Sequence, residues 1–278
     1  YQLGVNVCLA IALDGGLGVT AFFAAVVLVF IAARAMNAVG ALLKGSISVR
    51  ESDRIVLSRC LPYYAQLDRT ARREFDQRVT DFINDKEFHG RGIEVTREMK
   101  LMLAGSAVQV TFGLEPLLLM HFSRIVVYPD QYRNRPQSHL HLGEVNPGMR
   151  VIAISWKHFL QGYAEPTDAR NVGLHEMAHA LWFENRIPNA ETGFLSNKLL
   201  LEWRQLAEDE SARIRSGADR FFREYAATDQ AEFFAVAVEY FFEKPVVYRA
   251  ALPELYECMV QLLGQDPAEM KASSHQDR

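Results

Sequence analysis

His175 and His179 stand four residues apart in "VGLHEMAHALWFEN" (172–185), with Glu176 beside the first. On a helix, residues four apart sit on one face, so two imidazole nitrogens can meet at one ion. The H-E-x-x-H order therefore requires a helix here, a cleft in front of it, and a further ligand from another element. Leu174, Met177, Ala178 and Leu181 follow i, i+3, i+4, i+7 and form a stripe for packing on a core. Asp168, after Pro166 and Thr167, is expected to cap the helix. The competing reading is a chance match on an amphipathic helix, which should arise in about one chain in a hundred of this length. A third ligand decides between them.

The extended form H-E-x-x-H-x-x-G-x-x-H fails, because Trp182 and Asn185 occupy its Gly and His positions. The only later histidine is His275, near the end of the chain. The third ligand must then be an acid, as in a catalytic zinc site with two His, one Glu and a position open to water. Glu184 is too near along the same helix to complete that set. "YAATDQAEFFAVAVEYFFE" (225–243) offers Glu232, with Asp229 as a cap and Glu239 and Glu243 near the same face. Two bland readings stay open here. In one, Glu232 reaches back to its own helix terminus in a capping box; in the other, Glu239 is a solvated charge. Glu176 is not a ligand in this scheme; it takes a proton from water at the ion and later delivers it to a leaving amine.

The remaining composition narrows the class. With 278 residues, 49% hydrophobic and 23% charged, the chain is globular, not disordered or fibrous. A net charge of −4 gives no sign of direct nucleic-acid binding. Cys8, Cys60 and Cys258 match no zinc-binding spacing and point to free thiols in a reducing compartment. Residues 15–33, "GGLGVTAFFAAVVLVFIAA", carry no charge and as a helix would span about 28 Å, close to a bilayer core. A buried core helix or a signal peptide would be the alternatives, and the latter needs a positive segment that residues 1–33 lack. Arg34, Lys44, Arg50, Arg54 and Arg59 follow the run. A transmembrane helix in the cell inner membrane, with the bulk of the chain in the cytoplasm, is therefore expected. The chain starts at Tyr1, which leaves room for an earlier segment.

The expected division is a membrane anchor and linker over 1–50, a peptidase domain over 51–270, and a frayed tail over 271–278. Helices are predicted over roughly 53–66, 69–85, 96–113, 156–162, 168–184, 195–214, 229–243 and 252–264. Strands are predicted at "RIVVYP" (124–129) and "RVIAISW" (150–156), with a polar loop between them. Gly90 and Gly92 break the pattern after the second helix. Few strands and many helices around one site make an α+β domain.

Several stretches resemble a known family in the same order along the chain. They are "LPYYAQL", "DFINDKEFHGRGIEVTREMKLMLAGSA", "IVVYPDQY", "GEVNPG", "ISWKHFLQGYAEPTDARNVGLHEMAHAL" and "DRFFREYAATDQAEFFAVAVEYFFEKP". Together they are similar to the zinc peptidases related to Mlc titration factor A, over roughly residues 55–268. The resemblance implies a zincin-like, gluzincin-type fold, mostly helical with a small sheet. It implies one Zn²⁺ ion held by His175, His179 and Glu232, with Glu176 as base. "YAATDQAEFFA" is also similar to the third-ligand segment of the catalytic domain of anthrax lethal factor. That similarity makes Tyr225, seven residues before Glu232, a phenolic donor to the oxyanion; the bland reading is a packing aromatic at a helix end. The strand carrying Val151, Ile152, Ala153 and Ile154 would lie along the cleft, as a zincin edge that pairs with an extended peptide substrate, and "VNPG" would shape the entrance. An aminopeptidase is one form such an enzyme takes, and the sequence leaves exo- against endopeptidase open. The implied partners are a peptide or protein substrate and a transcriptional repressor of sugar uptake. If the protein chiefly sequesters that repressor, peptidase activity is secondary. The lipid bilayer is a further partner, through the N-terminal helix.

Overall fold

The computed structural model describes residues 47–133, 140–218 and 220–270. The expected span at 15–33 and the tail at 271–278 lie outside the described residues. Among those described, no helix is long and apolar enough to cross a membrane. The chain divides into units of residues 1–47 and 48–278, and the following concerns the second.

The predicted helix over 53–66 is two helices, α1 (Glu51–Cys60) and α2 (Pro62–Gln66). Pro62 explains the break: it lacks an N–H and biases Leu61 to extended backbone, where it is found (φ −120°, ψ 97°). Helix α3 (Arg69–Asp85) starts at Asp68, whose carboxylate accepts from Thr70 and Ala71 N–H at 2.8 Å each. A short strand β1 (Glu87–Gly90) follows where only glycine breaks were legible. Helix α4 (Arg97–Thr111) is capped by Thr96 and buried continuously from Leu101 to Thr111. A helix apolar all round belongs in a core, and α4 lies between α3 and the H-E-x-x-H helix.

Strands β2 (Arg124–Tyr128) and β4 (Val151–Ser155) occupy the two predicted positions. A further strand, β3 (Gly143–Asn146), lies in what reads as polar loop. The sheet order is β1-β2-β4-β3, parallel except for the antiparallel β3–β4 pair. This corrects the expectation for Val151, Ile152, Ala153 and Ile154. Their strand is central, paired to β2 on one side and β3 on the other, and all four residues are buried. A strand with both sides paired cannot add a substrate strand. The outer strands are β1 and β3, and β3 is the one that lies against Glu176. Ile152 and Ile154 instead serve the core, each worth roughly 1.5–3 kcal/mol of burial.

Helix α5 (Trp156–Ala164) leads to α6 (Val172–Glu184), the H-E-x-x-H helix. Asp168 does not cap it. The N-cap is Asn171, whose side-chain oxygen accepts from Leu174 N–H at 3.1 Å, and the intervening Ala169 takes a left-handed backbone (φ 60°). Helices α7 (Asn197–Arg215), α8 (Gln230–Glu243), α9 (Pro245–Ala251) and α10 (Pro253–Leu263) complete the domain. Pro245 and Pro253 open α9 and α10 at the position where proline is tolerated. Leu174, Met177, Ala178 and Leu181 are buried as the stripe requires. Helix α6 packs chiefly on α8, with α4 and α5 on other flanks and β3 and β4 against it.

Candidate active site

Helices α6 and α8 bring three donor atoms together. His175 Nε2 lies 3.1 Å from His179 Nε2, and Glu232 Oε2 lies 3.2 Å from the first and 3.4 Å from the second. Four ligands placed tetrahedrally at zinc–nitrogen distances are separated by about 3.4 Å, so the triangle fits three corners of such a set. The polar groups fit too. Glu232 Oε2 is buried and makes no hydrogen bond, although two imidazole nitrogens face it. His175, His179 and Glu232 are the group among the described residues whose arrangement could hold a metal ion.

Glu232 is not in a capping box. Asp229 caps α8 by accepting from Ala231 and Glu232 N–H, which leaves the Glu232 carboxylate free to turn toward α6. Nor is Glu239 a solvated charge. It is 2% exposed; Oε1 accepts from Asn171 N–H at 2.8 Å, and Oε2 lies 3.0 Å from His175 Nδ1. Glu232, Glu239 and Glu243 fall at i, i+7 and i+11, one face of α8. The first meets both histidines, the second orients His175, and the third accepts from Ala169 N–H and the Asn171 amide at the start of α6. Glu184 points elsewhere and accepts from His121 N–H at 3.1 Å.

The cluster draws positive charge. Burial works against an imidazolium at His175, but the carboxylates of Glu232 and Glu239 outweigh it and raise the pKa to about 10. For Glu232, burial acts upward and the two histidines prevail, holding the carboxyl well below its usual range. A cation at the centre satisfies the same field.

Glu176 is 6% exposed, and its burial raises its pKa against the pull of the two histidines. It lies against β3: a Cβ at Gly143 would fall 2.4 Å from Glu176 Oε1. Glycine is thus the residue that lets the outer strand approach this carboxylate. Gly143→Ala is expected to displace Glu176, lowering activity about 10²-fold with metal content unchanged. Steady-state rates and metal analysis on one preparation check this.

Tyr225 lies in a 3₁₀ turn (Glu224–Ala227) before α8, half exposed, with its ring 6.3 Å from that of His175. Partial burial and the nearby Glu232 carboxylate keep its hydroxyl protonated. A cleft of about 810 Å³ is lined by Leu140, Leu142, Gly143, His158, Gln161 and Glu165. His175, Glu176, Tyr225 and Glu239 also line it. The sequence reading missed Asn171, Gly143 and Arg223. The last is told apart from other arginines only by its partners in space.

A small mixed sheet, a helix carrying H-E-x-x-H and a carboxylate from a later helix make this a metallopeptidase domain. The family of glucose-regulated metallo-peptidases M90 matches residues 41–263, and the chain belongs to it. An uncharacterised protein of Synechocystis sp. is 24% identical over 228 residues, covering 76% of this chain and 83% of that one. Mlc titration factor A of Klebsiella pneumoniae is 26% identical over 230 residues, 75% and 84% of the two chains. The Salmonella arizonae protein of that name is 30% identical over 105 residues, 36% and 42% of the two.

Proposed function

We propose that the protein is a zinc peptidase in which His175, His179 and Glu232 bind the ion and Glu176 is the general base. The observation that carries this is the 3.1–3.4 Å triangle of donor atoms beside a buried carboxylate at the cleft. Zinc held there would acidify water and polarise the peptide carbonyl. Glu176 accepts the proton of the attacking water and delivers it to the leaving amine. The Tyr225 hydroxyl donates to the carbonyl oxygen as it gains negative charge. Glu239 accepts from His175 Nδ1–H and so presents Nε2 to the ion. An extended substrate pairs along β3, the outer strand beside Glu176. The finer form of this reading is an aminopeptidase, since exposed Glu165 and Asp168 line the cleft and offer partners to a free amino terminus. Cleavage of a peptide but not of its N-acetylated form supports that mode.

The relatives' name, Mlc titration factor A, favours a second reading in which the protein is a regulatory binder of a transcriptional repressor. Proteome comparison of cells carrying the intact chain and Glu176→Gln separates the two. Proteins that accumulate uncut in the variant support the peptidase. An unchanged proteome with full regulation supports the binder.

We also place the domain on the cytoplasmic side of the inner membrane, held by the uncharged run at 15–33. A reporter fused after Arg278 is expected to report the cytoplasm, and a read-out from the other side would refute the orientation.

A further inference from the structure

Arg223 joins three parts of the site that no sequence pattern connects. It is the residue before the 3₁₀ turn that carries Tyr225. Its Nη1 donates to the carbonyl of Ala169 at 2.6 Å, and its Nη2 pairs with Glu239 Oε2. That same oxygen lies 3.0 Å from His175 Nδ1. One guanidinium thus touches the loop entering α6 and the carboxylate that orients a proposed ligand, while it begins the turn of the proposed oxyanion donor.

The surroundings show why a planar fork is needed. Ala169 is a non-glycine residue in left-handed backbone, held by Glu243 on its N–H and by Arg223 on its carbonyl. Glu239 is buried with two N–H donors besides Arg223, and Arg223 supplies the compensating charge. The turn is anchored to the core by Phe222, whose ring packs on Phe233, Tyr240 and Tyr248, and by buried Ala226. Tyr225 itself also interacts with the Glu232 carboxylate on α8. Arg215 reaches Ala227 O at 3.4 Å, and Thr228 bonds back to Tyr225 O.

We infer that Arg223 is a positioning residue that locks the Tyr225 turn to the His175–Glu239 pair, so that oxyanion donor and metal ligand are set by one side chain. The inference rests on the zinc peptidase reading above. It predicts two separable effects. Freed from Arg223, Glu239 holds His175 less well, and zinc affinity falls. Freed from Glu239 and Ala169, the turn loses its aim, and Tyr225 no longer meets the reacting carbonyl.

The test uses the full chain, zinc itself, and a fluorogenic peptide cut by the wild-type protein. By chelator competition, Arg223→Gln is expected to bind zinc roughly 10- to 100-fold more weakly. At saturating zinc, Arg223→Gln should lower kcat at least about tenfold when Tyr225 is intact. It should add less than about threefold on the Tyr225→Phe background, because both changes remove one function. Arg223→Lys keeps a charge beside Glu239 but not the fork, and should recover affinity while the rate stays low. Wild-type zinc affinity in Arg223→Gln, or rate losses that multiply across the two backgrounds, overturns the proposal. Full activity in Tyr225→Phe would instead sink the role given to Tyr225 under the proposed function, and zinc affinity would then judge Arg223 alone.

Discussion

Glu176→Gln is expected to leave zinc content and folding unchanged while peptide cleavage falls by about 10²- to 10⁴-fold, the usual contribution of general acid–base catalysis. Glu176 is not one of the three converging donors, so its amide takes nothing from the ion. Gln preserves the shape beside Gly143, where the strand leaves no slack. What it removes is a proton acceptor in a buried setting that already favours taking up a proton. Zinc content, the thermal transition and cleavage rate are measured on the same preparation. A variant that keeps its rate would remove Glu176 from the mechanism. One that loses zinc would show it to be a ligand or a support for one.

The second large effect concerns the donor set. His179→Ala and Glu232→Ala should each purify with little zinc and no measurable cleavage, since a site of three protein ligands does not hold the ion well on two. Glu239→Ala is a graded case. It sits behind His175, not at the centre, so it should retain zinc with affinity lowered roughly 10- to 100-fold. Metal analysis after dialysis against a weak chelator orders the variants. Zinc retained by Glu232→Ala and lost by Glu239→Ala would exchange their roles.

The sequence made the site more legible than the sheet. Spacing on a helix is local, so His175, Glu176 and His179 declare themselves, and a carboxylate on a second helix follows from the failure of the extended histidine form. Whether that acid was Glu232 or Glu239 was not settled by periodicity, because both lie on one face of α8. Position relative to α6 decides it: Glu232 meets the Nε2 atoms, whereas Glu239 meets Nδ1 of His175 and the helix start.

Strand β3 was hidden for a different reason. "GEVN" has a glycine and two polar residues among four, and all four are only partly buried, so neither β propensity nor alternation marks it. Its role comes from what it approaches. Val151 to Ile154 were legible as a strand because they are buried on both faces. That same burial makes them a central strand and not an edge. Asn171 displaced Asp168 as cap because the chain turns at Ala169 before the helix begins, a bend set by Glu243 and Arg223 from distant elements.

The most direct test of the account is zinc X-ray absorption on the purified protein. It predicts one zinc per chain, coordinated only by nitrogen and oxygen at about 2.0–2.2 Å, with the scattering pattern of two imidazoles. Sulfur at about 2.3 Å, or a protein that takes up no zinc, would contradict it.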